Sequence, residues 1–284
     1  MTQSLVSAHW LKDNMNCPNI RIIDASWHLP DSGKNGYVDY LKCHIKNAVF
    51  FDIDIIVDEH SSLPHMLPSE EKFSKAMNAL GINNDHHIIV YDSSPLHSSM
   101  RLWWMLKVFG HNKVSYMDGG LSKWLHEQYP VTSDVPTQEV SEFSSKLQPA
   151  LIRSATDIFE NIHSKKEQLI DARASGRFYS KISEPRLGLR SGHIPNSINI
   201  PFFELFDVDG TLLDTEELLD IFTEAGTDLN RPIITSCGSG VTACALMFAL
   251  KLIGKEDVSV YDGSWSEWGG LPNAVAPIVT CKEQ

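Results

Sequence analysis

Residues 6–25, VSAHWLKDNMNCPNIRIIDA, lie over residues 153–172, RSATDIFENIHSKKEQLIDA, without a gap. Each stretch opens on a serine suited to cap a helix, Ser7 or Ser154, and closes on a short apolar strand ending in Asp-Ala, at Asp24 or Asp171. Three further pairs follow in the same order: CHIKNAVFFDI (43–53) with GHIPNSINIPF (192–202), residues 88–110 with 232–254, and SYMDGGLSKW (115–124) with SVYDGSWSEW (259–268). A chain that repeats itself over segments of about 130 residues, each the size of an ordinary domain, has to close one core per copy. The 284 residues therefore read as two domains, 1–136 and 151–284. The stretch 137–150 between them is polar, contains Pro149, and reads as a linker.

Within each copy, short apolar runs alternate with helical patterns. In the second copy the runs at 168–170, 197–200, 233–236 and 258–261 are predicted strands, and 155–162, 216–224 and 241–253 predicted helices. Such alternation gives an α/β fold, a parallel sheet flanked by helices in each domain. Ligands of these sheets sit beyond the carboxyl ends of the strands. Cys237 stands at one of those ends, in IITSCGSGVTACALMFALKLIG (233–254).

Gly238 and Gly240 let the backbone approach closely and take left-handed dihedrals, so the turn can point successive N–H groups inward as an anion nest. The following helix adds the partial positive charge of its amino terminus. A thiol in that setting is expected to be a ready nucleophile. A lone cysteine at a strand end is commonly a packing residue, and the first copy supplies the control. There position 93 is serine and SPLHSS follows with no glycine. A loop needed only for folding would recur in both copies. The first copy is therefore expected to be catalytically silent and to lend only a wall to the cleft.

The net charge of −12 disfavours a nucleic-acid surface and suits a small substrate or a protein partner. No window approaches the roughly 18 apolar residues of a membrane span. The opening MTQSLVSAHWLKD has no basic segment leading into an apolar one, so a cytoplasmic location is expected. The five cysteines are odd in number, form no C-x-x-C and show no zinc-ligand spacing.

Taken together, the tandem copies, the loop CGSGVTA and the following YDGSWSEW resemble the 3-mercaptopyruvate sulfurtransferases of the rhodanese superfamily. The likeness runs from about Ser7 to Pro272 and includes DASWHLP, FFDID and MDGGL in the first copy, and DARASGRF and EPRLGLRSGHIPNSINIPF in the second. It implies two tandem rhodanese-like domains of which only the second is catalytic. It further implies sulfur carried as a persulfide on Cys237, no cofactor and no metal. The donor would be 3-mercaptopyruvate, and the acceptor cyanide, a small thiol or a thioredoxin-like protein. The family's substrate arginines match Arg177 in SGRF and Arg186 in EPR, a residue type suited to a planar carboxylate. Gly238, Ser239, Gly240, Val241 and Thr242 would complete the donor site.

Ser239 would also act in a Ser–His–Asp relay whose histidine matches His44, with Asp31 or Asp39 as the uncertain acid. Arg173 reads as a structural partner of an acidic residue, His193 as structural because it recurs in both copies, and Cys244 as core. Three rivals stay open. A thiosulfate sulfurtransferase of the same superfamily typically has basic residues after the cysteine, whereas Gly238 and Ser239 are neutral. A Cys-x5-Arg phosphatase would need arginine where Ala243 stands. A non-enzymatic scaffold suits the first copy better than the second.

Overall fold

The computed structural model describes residues 3–280. Cys281 and the end of the second predicted domain lie outside the described residues. The chain divides into two units. Unit 1 comprises residues up to Glu59, then Leu67–Gln148 and Phe206–Leu212. Unit 2 comprises His60–Met66, Pro149–Leu205 and the residues from Leu213 onward.

Unit 1 contains strands β1 (Leu5–Val6), β2 (Ile20–Asp24), β3 (His44–Ile45), β4 (Val49–Phe50), β5 (His87–Tyr91), β6 (Val114–Met117) and β7 (Val131–Thr132). Five of them form a parallel sheet in the order β1-β6-β5-β2-β4, and β3 pairs antiparallel with β7. Unit 2 contains β8 (Ile152–Arg153), β9 (Gln168–Asp171), β10 (Ser197–Asn199), β11 (Ile233–Ser236) and β12 (Val258–Tyr261), a parallel sheet in the order β10-β9-β11-β12-β8. Written by repeat position, the two orders are the same. The α/β reading with one parallel sheet per copy therefore holds.

The central strands lack alternation because both faces are covered: every residue of β11 and β12 is buried. The helices Ser99–Val108 and Ala243–Leu252 are apolar nearly all round and are buried along nearly their whole length. Polar caps fix where other helices begin. Ser7 Oγ accepts the N–H of Trp10, and capping boxes pair Ser154 with Asp157 and Asp214 with Glu217. The predicted helix 241–253 begins later, at Ala243, because its first residues belong to the glycine-rich loop. Two short helices, Ser175–Phe178 and Ser264–Trp268, and strand β8 were too brief to show a period.

The stretch read as a linker is not a loose one. Most of it belongs to unit 1. Phe143 is buried against Phe73, and the N–H groups of Phe143, Ser144, Ser145 and Leu147 donate to the side chains of Asn78, Asn84, Ser74 and Glu70. Side chains of unit 1 thus replace the ladder partners that an extended polar segment lacks.

One segment of each repeat belongs to the other repeat's unit. His60–Met66 comes from the first repeat yet belongs to unit 2, and Phe206–Leu212 comes from the second repeat yet belongs to unit 1. In unit 1, the Phe206 ring stacks on His97 at 3.5 Å, the Leu212 N–H donates to Asp118 Oδ1 at 2.9 Å, and Asp209 pairs with Lys123 at 2.9 Å. The exchange is reciprocal, each unit receiving one segment.

Candidate active site

Strand β11 delivers Cys237 to the carboxyl edge of the unit 2 sheet, where the chain turns through 238–242 into the helix Ala243–Leu252. Gly240 holds φ at 77°, a left-handed value that glycine takes without strain. Cys237 is only 1% exposed, and Ser239 and Val241 are buried. Among the described residues, the N–H groups of Gly238, Ser239, Val241 and Thr242 meet no protein acceptor. Together with the helix amino terminus they offer donors to an anion seated over the loop. Cys244 is the second residue of that helix, fully buried with its Sγ on the Gly240 carbonyl at 3.2 Å, which places it in the core as expected.

Both expected arginines reach this loop. A Cβ built on Gly238 would stand 3.3 Å from Arg177 Nη2 and 3.8 Å from Arg186 Nη1. Arg177 lies on the short helix Ser175–Phe178, and its Nη2 and Nε donate to Glu184 at 2.6 and 3.2 Å. Glu184 is buried and shared: its other contact is Arg173 Nη1 at 2.9 Å. Arg173 in turn donates to both carboxylate oxygens of Asp171 and to the Gly192 carbonyl, and lies 4.0 Å over the Trp265 ring. Arg173 is the structural residue expected, and the chain Asp171–Arg173–Glu184–Arg177 aims the outermost guanidinium at the loop. Arg186 Nη2 donates to Ser239 Oγ at 3.4 Å.

The histidine beside Ser239 is not the one expected. His44 is fully buried in unit 1, with Nδ1 on the Tyr40 carbonyl at 2.7 Å and Nε2 on the Asp134 carbonyl at 3.2 Å. Both of its nitrogens are engaged by backbone of its own unit, so it has none to offer Ser239. The histidine that meets Ser239 is His65, Nδ1 to Oγ 3.0 Å, carried by the exchanged segment His60–Met66. Asp39, one of the two acids considered, instead lies beside His28 and Lys42. His193 is structural as expected: its Nδ1 meets the Phe178 carbonyl at 3.0 Å and its ring stacks on Phe178. Burial lowers the His193 pKa.

The equivalent corner of unit 1 is closed to an anion. Asp92 carries a carboxylate where unit 2 has Ser236, and it accepts from the Ser94 N–H, the Ser99 N–H and the Ser99 hydroxyl. The protein's own carboxylate thus occupies the loop donors. Asp24 stands where unit 2 has Asp171, but Ser26 replaces the arginine partner. Desolvation pushes Asp24 and Asp92 each up to about 6, against hydrogen bonds from Ser26 and Ser99 that hold them down.

Among the described residues no group of three or more His, Cys, Asp or Glu side chains could hold a metal ion, and no helix is long and apolar enough to cross a membrane.

The rhodanese-like domain family matches twice, over residues 7–127 and 154–271. The 3-mercaptopyruvate sulfurtransferase of Escherichia coli (strain K12) is 44% identical over 94% of this chain and 95% of its own. The thiosulfate sulfurtransferase of Rattus norvegicus is 42% identical over 94% and 92%. The crystal structure of SseA from Escherichia coli, a 3-mercaptopyruvate sulfotransferase, superposes with a TM-score of 0.85 at 41% identity, over 93% of this chain and 99% of that one. Overall identity does not separate the two donor classes, so the loop and its arginines have to.

Proposed function

This chain belongs to the rhodanese-like family, and on that premise we propose that it transfers sulfur from 3-mercaptopyruvate to a thiophilic acceptor through a persulfide on Cys237. One observation carries the choice of donor: two guanidiniums converge on Gly238 while the loop's own residues 238 and 239 are uncharged. That arrangement puts positive charge beside Gly238, where a ketoacid's carboxylate and keto oxygen would extend, and leaves the loop floor neutral. A doubly charged inorganic donor would be better served by cations on the loop itself.

The Cys237 thiolate attacks the sulfur of 3-mercaptopyruvate. The S–S bond forms as the C–S bond breaks, and its electron pair goes to carbon as the enolate of pyruvate, which takes up a proton and leaves. Arg177 and Arg186 hold the carboxylate and keto oxygen and stabilise the enolate as its charge grows. Ser239, held between His65 and Arg186, would move a proton at the keto oxygen or the donor thiol. Unpartnered loop N–H groups stabilise the anionic outer sulfur. An acceptor nucleophile such as cyanide, a small thiol or a thioredoxin-like protein then attacks that sulfur and Cys237 leaves as thiolate, a ping-pong sequence. Cys237 is held in no disulfide, as a residue that carries sulfur between donor and acceptor requires.

Steady-state turnover with both donors tests the reading. 3-Mercaptopyruvate is the better donor by kcat/KM, and Cys237→Ser abolishes transfer from either. Mass spectrometry after donor treatment finds one added sulfur, on Cys237. Equal use of both donors overturns the donor assignment, and turnover by the serine variant overturns the nucleophile.

A further inference from the structure

Strands β6 and β12 end in matching turns, MDGGLSKW and YDGSWSEW. The third turn residue is left-handed in both units, with φ 52° at Gly120 and 49° at Ser264. Glycine takes this conformation freely. In unit 1 it is also demanded, because a Cβ on Gly120 would stand 2.3 Å from the Asp92 carbonyl oxygen. Unit 2 instead carries a fully buried serine at the same backbone angle. Strain of this kind persists where the residue has a use that the relaxed alternative would lose.

The use is visible in the hydrogen bonds. Ser264 Oγ accepts the N–H of Cys237 at 3.1 Å and donates to the Tyr261 carbonyl at 2.8 Å. The next two residues hold the loop as well: the Trp265 N–H donates to the Cys237 carbonyl at 2.9 Å and the Ser266 N–H to the Gly238 carbonyl at 2.8 Å. In unit 1 the corresponding backbone bond runs from Leu121 to Asp92, one residue earlier, and the Ser93 N–H goes to Ser26 Oγ. Ser266 has the same residue, Ser122, at its counterpart in the silent copy. Ser264 does not.

We propose that Ser264 is a positioning residue for Cys237. Its hydroxyl fixes the nucleophile's N–H and therefore the direction in which the Cα–Cβ–Sγ arm leaves the backbone, one residue further along than the silent turn allows. The inference rests on the sulfurtransferase reading above but on a different residue. A misdirected sulfur lowers the rate of attack while Arg177 and Arg186 still bind the donor, so the effect falls on kcat rather than KM.

The test compares Ser264→Ala, which keeps the Cβ and loses the acceptor, with Ser264→Gly, which loses both and suits φ 49°. Single-turnover persulfide formation, steady-state kcat and KM for 3-mercaptopyruvate, and the thermal midpoint are read for each. Both variants are expected to lose roughly 10-fold or more in kcat, the equivalent of one hydrogen bond, with KM changed by less than about 2-fold. The glycine variant is expected to melt at or above the alanine variant despite its equal loss of rate. If alanine prevents folding, the glycine variant carries the test alone. Wild-type kcat in Ser264→Gly, or a rise in KM that matches the fall in kcat, overturns the proposal. Wild-type turnover of 3-mercaptopyruvate, with its loss in Cys237→Ser, tests the underlying reading separately.

Discussion

Asp24→Asn should make this protein more stable at neutral pH. Asp24 is buried at the end of β2 without the arginine that its counterpart Asp171 enjoys, and burial raises its pKa from 3.8 to about 6. A carboxyl whose folded pKa lies above its unfolded one gives the most stability when it is protonated in both states. That stability is lost as pH rises from the unfolded value through the folded one, and above about 6 the loss is complete. Two pH units at 1.36 kcal/mol each put the loss at about 3 kcal/mol. An asparagine keeps an oxygen for the Ser26 N–H and hydroxyl that Asp24 Oδ1 accepts, and carries no charge. For a unit of this size about 3 kcal/mol is a rise of roughly 6–12 °C in the midpoint of unit 1 at pH 7.5. At pH 4.5 the same linkage leaves roughly a third of that advantage. Calorimetry of both proteins at the two pH values checks it. An asparagine variant that is less stable at pH 7.5, or whose advantage does not shrink on acidification, would refute the assignment of an unpaired buried acid.

Further expectations concern the site. Arg186→Ala should lower kcat/KM for 3-mercaptopyruvate about 10- to 150-fold, the loss of one charged hydrogen bond. Replacing Gly238 with Arg and Ser239 with Lys should shift donor preference towards thiosulfate, and unchanged ratios of kcat/KM would count against the charge argument. Ser93→Cys should yield no persulfide at residue 93, because Asp92 already occupies the N–H groups of that loop; sulfur found there by mass spectrometry would contradict this. His65→Ala should lower kcat by about 10²-fold or more, as loss of a proton-transfer partner does, with little change in thermal midpoint, whereas His44→Ala should act mainly on stability.

The proposed catalytic loop was legible because its residues are local in sequence. Cys237, its glycines and the helix behind them are contiguous, and the first repeat showed what the same turn looks like without them. Arg177 and Arg186 were legible through short motifs, although the buried carboxylate Glu184 that aims Arg177 was not. His65 is not legible in this way because it meets Ser239 across 174 residues of sequence. His44 and His193 occupy the same repeat position, in CHIKN and GHIPN, so recurrence marks both as structural. The two do one job: each places Nδ1 on a backbone carbonyl and stacks on an aromatic ring, Tyr40 or Phe178. A histidine peculiar to one copy, as Cys237 is, was the better signal, and His65 in SSLPHMLP has that character. The linker was misjudged for a different reason. Polar composition shows that a segment buries little of itself, and says nothing of side chains elsewhere that reach out to its backbone.

A duplicated gene ordinarily leaves one of its halves free to decay. The exchange of His60–Met66 against Phe206–Leu212 sets a limit on that freedom here. The first half has no thiol, loop glycine or buried arginine at the positions matching Cys237, Gly238 and Arg173, yet it encodes the segment that brings His65 to Ser239. The second half, excised as a shorter gene, would encode a cysteine, two arginines and a serine without the histidine that meets that serine. Under the proposed mechanism, a change in that borrowed segment would be read out as a change in rate at the other half's cysteine.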